Sequence, residues 1–566
     1  MSYYRLDFRL QGIGFREMSH KYLAKFAQRQ WRFMGKFLSL FCICCFLAVS
    51  CGQKQSTTPA NTGTNTGRIS IGTTAKIRTL DPADAYEVAA ATLLHNLGDR
   101  LYTYESGTTD LKPQLATELP KISKDGLTYT IPLRQGVVFH DGEPFNAAAM
   151  EFSLKRFIEN QGSPSVLLSD TVDSVAATGE YELTIKLKKP FAAFPDLLTF
   201  FGACAVSPKA YEIGAGKFSD KFVGTGPYQL ALNYSNETIK LDAFDRYWGE
   251  KPANKGIDIQ RYTSPSNLYN GFRTRAVDVA FQSLDLDQIA DLQKQAGSGG
   301  WQVLEGRSNG IYYLTLNIKE KPLDNVAVRQ ALAAIIDRTQ LQERVFRGQV
   351  EPLHSLVPLT LPDAYKPVFK DQYGDGNAVK AHEALTKAGY SRSNPLRLEL
   401  WYRSNLTTDG LAASTIKAAV QQKLGGVMEI DLKSVESTTA YQNLDKGIYP
   451  MFLLDWSPDF LDPDNYIQPF MDCVKGSAAT GCEDGSTKAQ GSFYYNERVN
   501  ELIDKQRQEQ NPQARQKIFS ELQDILAKDV PFIPLWEGKE YLFAQKGIEG
   551  LRLEPTQRVP FWTIKK

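Results

Sequence analysis

Leu127-Thr-Tyr-Thr-Ile-Pro-Leu133-Arg-Gln-Gly136-Val-Val-Phe139-His140-Asp141-Gly142-Glu-Pro-Phe145 is the stretch that decides the fold. Its first seven residues alternate apolar and polar side chains, the period of a half-buried strand. Asp141-Gly142 is a hairpin-type turn, and Lys124-Asp-Gly126 marks the turn before the strand. Tyr181-Glu-Leu-Thr-Ile-Lys-Leu187 repeats the alternation. Val326 to Phe346 instead spaces apolar residues as one long helix, rich in Ala, Leu and Gln and stopping before Gly348. Thr415–Leu424 and Ala514–Leu526 read as further helices. Strand and helix patterns alternate along the chain without an internal repeat, which predicts mixed α/β architecture.

The N-terminus speaks to destination. Phe37 to Val49 is an apolar run preceded by Lys21, Lys25, Arg29, Arg32 and Lys36. That is the order of a secretory signal, and the run is short for a membrane span. It ends in Leu47-Ala-Val-Ser-Cys51-Gly, which resembles a bacterial lipobox with Ala48 in the usual leucine position. The expectation is a signal peptide over 1–50, lipidation at Cys51, and a flexible Thr/Gly/Asn-rich tether over 51–67.

Of the 566 residues, the first 50 hold eight Lys/Arg and two Asp/Glu, so residues 51–566 carry −5 of a total of +1. A basic field for nucleic acid is missing, and no nucleic-acid partner is expected. A single core rarely grows to some five hundred residues, so at least two lobes are expected. Of 7 cysteines, four belong to the signal region. In an oxidising compartment Cys473 and Cys482 can close a disulfide, while Cys204, in an apolar stretch, reads as a buried thiol. Among these three cysteines no metal-ligand spacing occurs, and no metal or cofactor is expected.

Several motifs carry a resemblance. They are Leu80-Asp-Pro82, Leu111-Lys-Pro-Gln-Leu-Ala116, the opening stretch, Ser153-Leu-Lys-Arg156, Gly224-Thr-Gly226-Pro227-Tyr228 and Tyr247-Trp248. Pro322 to Leu332, Ile336-Asp337-Arg338, Trp456 to Tyr466 and Pro531-Phe-Ile-Pro534-Leu follow in order. Together the chain resembles the peptide/nickel family of extracellular solute-binding proteins, the receptors of ABC importers. Ala149-Met150 departs from the family pattern of an acid and an aliphatic.

The resemblance implies a two-lobed periplasmic-binding-protein-like α/β fold of class II type, with a hinge and an interlobe ligand cleft. The first lobe is expected over 68–320, enlarged and completed by 530–566, and the second over 321–529. Expected partners are a peptide ligand, ABC importer permease subunits and, through the lipid anchor, the membrane at the periplasm or outer cell-membrane surface. The protein is expected to be a monomer and not an enzyme. Most of the motifs read as structural. The glycines of Gly224-Thr-Gly226 allow positive φ at a tight turn, and Arg329 and Asp337 are placed for inter-element ion pairs.

The run Trp456-Ser-Pro-Asp459-Phe-Leu-Asp462-Pro-Asp464-Asn465-Tyr466 is the candidate site, with Pro458 and Pro463 holding it out of regular helix. A buried ammonium needs a carboxylate. By the family's Trp-x-x-Asp pattern, Asp459 is expected to hold a peptide's α-ammonium and Trp456 to line the pocket. The alternative for Asp459 is a cap or loop-stabilising acid. Asp462, Asp464 and Asn465 are expected to brace the loop. Arg403, in Leu400-Trp401-Tyr402-Arg403, resembles the arginine that takes the peptide carboxylate, against the alternative of a surface arginine. Trp401 and Tyr402 offer rings for stacking. Receptors for a nickel chelate, an oligosaccharide or an opine share this fold. A secreted hydrolase would need a nucleophile–base constellation, and the sequence carries no Walker A or His-Glu-x-x-His motif. A chaperone-like or signalling receptor would keep the same cleft.

Overall fold

In this computed structural model, which describes residues 67–231, 237–281, 283–556 and 558–566, eleven strands form one mixed sheet. The signal segment 1–50, Cys51 and all of the tether except Gly67 lie outside the described residues. In chain order the strands are β1 (Arg68–Thr73), β2 (Tyr228–Leu230), β3 (Thr238–Ala243), β4 (Gly256–Arg261), β5 (Val279–Phe281), β6 (Trp301–Leu316), β7 (Val350–Pro352), β8 (Leu396–Arg403), β9 (Met428–Val435), β10 (Met451–Trp456) and β11 (Phe532–Gln545). They are ordered β9-β8-β10-β6-β11-β5-β1-β4-β3-β2, with β7 also paired to β11.

β6 and β11 organise this sheet. They pair antiparallel from Trp301↔Gln545 to Thr315↔Phe532, with a register shift between Arg307 and Ile311. On one side of the shift Ile311, Tyr313 and Leu314 enter a core built with Phe470, Phe519 and Phe532. On the other side Leu542 and Ala544 of β11 enter a second core with Ile69, Ile71 and Phe194. The irregular stretch therefore falls where the strands pass from one core to the other. A bulge bends its strand and re-aims the side chain it carries. Here that residue is Asn309, at φ 55, a left-handed conformation that asparagine tolerates better than most residues.

The opening stretch behaves as its period predicts. Thr128–Pro132 sits in a four-stranded antiparallel sheet with Lys121–Ile122, Glu182–Leu187 and Val172–Gly179. Tyr129 and Ile131 point inward with Leu183 and Ile185. At the following turn Gly142 adopts φ 90, and its N–H donates to the Phe139 carbonyl at 2.9 Å.

The helices that bear on the site are α1 (Val88–Leu97), α2 (Val326–Ile335), α3 (Arg338–Arg344), α4 (Thr407–Leu424), α5 (Asp464–Met471), α6 (Glu497–Gln508) and α7 (Pro512–Asp529). α4 and α7 contain the helices expected from 415 and 514. The single helix expected over 326–346 is two helices. Ile336 is extended at ψ 127, and the Asp337 side chain caps α3 by accepting from the Gln340 N–H at 2.9 Å. An N-cap aspartate offsets the broken backbone bonds, so apolar spacing runs straight through the break. Asp337 pairs with Lys423 at 2.9 Å as expected of an inter-element contact. Arg329 instead donates to main-chain carbonyls, closing the end of α7 through Asp529 O at 2.9 and 2.6 Å.

Gly224 and Gly226 are not at positive φ. Their smallness serves close approach. Gly226 N–H donates to Leu97 O at the end of α1, and a Cβ on Gly226 would lie 2.4 Å from the Leu97 carbonyl carbon. Cys473 and Cys482 are joined as a disulfide, and Cys204 is a buried free thiol. Among the described residues no helix is long and apolar enough to cross a membrane.

Candidate functional site

β10 delivers Trp456 to the junction of the two cores, opposite Ile311 of β6. The Trp456 ring meets Phe470 edge-on at 5.7 Å. After Trp456 the chain leaves the sheet for seven residues and re-enters helix at Asp464. The expectation of a run without regular helix therefore holds only to Pro463, because Asp464, Asn465 and Tyr466 form the first turn of α5.

The loop is held by its own acids. Asp462 takes both ends of the Arg515 guanidinium, at 2.6 and 2.7 Å, and also accepts the Asp464 N–H at 2.7 Å. Asp464 accepts from Arg507 at 3.0 and 2.8 Å and from the Gln506 amide. Asn465 Oδ1 accepts the Asp459 N–H at 2.9 Å. Bidentate arginine pairs fix orientation as well as charge. Beyond these braces, Phe460 reaches into the other core, and Leu461 N–H donates to the Tyr104 hydroxyl at 2.9 Å.

Asp459 differs from its neighbours. It is half-buried, and among the described residues it has no arginine or lysine partner; its carboxylate accepts from the Tyr86 hydroxyl. Burial, partly offset by that bond, pushes its carboxyl up to about 6. It opens on a cavity of about 270 Å³. That is small against the roughly 300–1,000 Å³ of ordinary ligand clefts.

Four further polar atoms at this cavity are buried without a hydrogen-bond partner. They are Glu87 Oε2, Trp456 Nε1, and both Asn309 Oδ1 and Nδ2. Glu87 Oε1 is taken by Arg78 at 2.8 Å, so only its second oxygen is open. The Asn309 carbonyl accepts from the Tyr466 hydroxyl at 3.1 Å, which ties the bulge to α5. Buried polar groups are almost always paired in folded proteins. Unpaired donors and acceptors around one hollow are what a polar solute would complete. A second cavity of about 340 Å³ shares Val88 and Ser457 with the first and includes Tyr312, Asp455 and Lys539 in its wall.

Of the residues singled out in the sequence, the structure brings Trp456 and Asp459 to the first cavity. It does not bring Arg403, Trp401 or Tyr402 to the lining of either. Arg403 ends β8 and is 4 % exposed. Its Nε donates to Asp409 at 2.8 Å, and its Nη1 donates to Tyr441 at 3.0 Å and to Asp455. Two carboxylates thus neutralise it, and only Nη2 is without a partner. Trp401 donates to Glu399 at 3.1 Å and packs on Tyr449, while Tyr402 packs against the core that holds Ile311 and Phe470. Tyr86, Glu87 and Asn309 were not reached from sequence. Asn309 carries a weak signal in Ser308-Asn309-Gly310, a turn-type triplet inside an otherwise strand-like run.

A mixed sheet threading two cores, with a small hollow of unsatisfied polar groups between them, is the architecture of a solute receptor. Solved structures agree on the fold. HbpA2 from Haemophilus parasuis superposes with TM-score 0.74 at 22 % identity, covering 88 % of this chain and 99 % of that one. The periplasmic binding protein DppA from Helicobacter pylori, solved with the peptide STSA, gives 0.69 at 23 % identity over 88 % and 97 %. Glutathione-binding protein GsiB of Salmonella typhi is 28 % identical over 490 residues, spanning 84 % of this chain and 90 % of its own. The family model for bacterial extracellular solute-binding proteins, family 5 (middle region), matches residues 110–478, and the chain belongs to that family.

Proposed function

We propose that this protein captures short peptides with a free N-terminus and delivers them to the membrane subunits of an ABC importer. One observation carries the reading: Asp459 is the acid in its loop left without a basic partner, and it faces a hollow with Glu87, Asn309 and Trp456. A ligand ammonium between Asp459 and the open Glu87 oxygen would be paired rather than buried alone. The Asn309 amide offers one donor and one acceptor, the complement of a peptide unit, and the Trp456 N–H offers a further donor. The 28 % identical relative is named for binding glutathione, itself a tripeptide with a free α-ammonium, which favours a small zwitterion over a sugar.

In this reading the first lobe comprises 68–320 with 530–566, and the second 321–529. The ligand touches both and so favours their closure. Arg403 acts from behind, holding Asp455 at the wall of the neighbouring cavity. Cys51, lipidated, would hold a monomer in the periplasm or at the outer cell-membrane surface through the Thr/Gly/Asn tether, with no catalytic step. Mass spectrometry of ligand copurifying with residues 52–566, followed by calorimetry with di-, tri- and pentapeptides, tests the reading. Peptide in the purified protein and binding of one length class are expected. No binding to any peptide, with tight binding to a sugar or metal chelate, would sink it.

A further inference from the structure

The same cavity carries positive charge that the ammonium site does not use. Arg100 and Arg558 line it, beside His95. Arg558 lies in the C-terminal segment after β11, and that segment is fastened to α1. Asn96 Nδ2 donates to Val559 O at 3.0 Å, and Asn96 Oδ1 accepts from Phe561 N–H at 2.8 Å. The Arg558 guanidinium stands over the Phe201 ring, 5.2 Å from its centre. Among the described residues no carboxylate or carbonyl accepts a hydrogen bond from that guanidinium.

Its neighbours deepen the imbalance. Arg100 donates to Gly98 O at 2.8 Å and contacts His95 Nδ1 at 3.3 Å. The adjacent Asp99 carboxylate is occupied by Trp248, Thr225, Tyr247 and Gln114. Burial, then the Arg100 charge, lower the Arg558 guanidinium to about 9, and burial together with both arginines holds His95 neutral. Arg100 has the Asp99 charge beside it, but Arg558 has no bonded anion among the described residues, a costly arrangement unless an anion enters. A guanidinium stacked on a ring by its face keeps its edge donors free for a planar carboxylate.

We propose that Arg558, backed by Arg100, is the carboxylate-binding subsite of this cavity, opposite in charge to Asp459. This rests on the peptide reading above and narrows it. The solute is a short molecule carrying both an ammonium and a carboxylate within reach of one cavity of about 270 Å³. Long peptides, whose C-terminus would lie outside, are disfavoured.

The test uses the full chain, solubilised in mild detergent, and two equimolar peptide pools of two to five residues, one with free C-termini and one C-amidated. Retained peptides are counted by native mass spectrometry. The wild type should keep free-acid dipeptides and tripeptides over their amides by about 30-fold or more, and Arg558→Gln should abolish that preference. Arg558→Lys, which keeps the charge, should retain part of it and guards against a folding defect in the first variant. Glutarate, titrated by NMR line broadening, gives a peptide-independent arm: the wild type should bind it and Arg558→Gln should not. Equal retention of acids and amides by the wild type, or a preference that survives Arg558→Gln, overturns the subsite. If neither pool binds but glutarate binds in an Arg558-dependent way, the subsite stands and the peptide reading falls. If neither pool binds and glutarate is indifferent to Arg558, both fall.

Discussion

Two regions that meet at the Trp456–Tyr466 loop treat their charges in opposite ways. From Asp462 to Asn465 every acid is saturated: Asp462 by Arg515, Asp464 by Arg507 and Gln506. At Asp459, Glu87, Asn309 and Trp456 polar atoms are left without an ionic or hydrogen-bonding match of full strength. The difference separates scaffold from site. Charges that fix a loop are satisfied within the protein, whereas groups that take a solute, as proposed for Asp459, would be left open for it.

The contrast breaks most readily through the scaffold. Asp464→Ala removes the buried acceptor shared by Arg507 and Gln506, while the part-exposed Arg507 keeps Asp472 and Asp504 nearby, so the loss of stability should be about 1–3 kcal/mol. A denaturant melt checks this, and a loss within experimental error would mean the saturated acids are not structural. Asp459→Ala should behave oppositely, with no loss of stability, because a desolvated carboxylate without a basic partner is removed.

Acidity sharpens the same contrast. The Asp459 carboxyl stands at about 6, above the roughly 3.9 of an unfolded aspartate. Between those values the folded state holds the proton more tightly than the unfolded chain. The stability contribution of this group is therefore present at low pH and lost as pH rises through about 6. Binding of an ammonium runs the other way, since it needs the carboxylate. Affinity should fall about tenfold per pH unit below 6. Calorimetry from pH 4.5 to 8 reads it, and a flat profile would remove Asp459 from the contact. The smallest effect is expected at Asn309→Gly, which accepts φ 55 without strain and deletes only the amide. Affinity should weaken about fivefold, near 1 kcal/mol, with stability little changed.

Much of the fold was legible in the sequence because alternation and turn residues report it locally. Tyr129, Ile131, Leu183 and Ile185 face inward as their period requires. The break at Ile336–Asp337 was not legible, since apolar spacing continues across it and a capping aspartate looks like any surface acid. Gly226 was read as a conformational glycine, whereas it is needed for proximity to Leu97, a contact more than a hundred residues away in sequence. The site was half legible. Trp456 and Asp459 stand out among aromatics and prolines. Asn309, Glu87 and Arg558 are singled out by the partners they lack among the described residues, which no linear pattern displays. Arg403 illustrates the converse: the carboxylates of Asp409 and Asp455 that occupy it become visible only once β8, α4 and β10 are assembled.

The most direct test compares one short peptide with its N-acetylated form by calorimetry, on the wild type and on Asp459→Ala. Binding of the free ammonium form should weaken in the variant by about 30-fold or more, with little change for the acetylated form. Equal loss for both forms, or no loss for either, would contradict the assignment of Asp459 as the residue that holds the solute's ammonium.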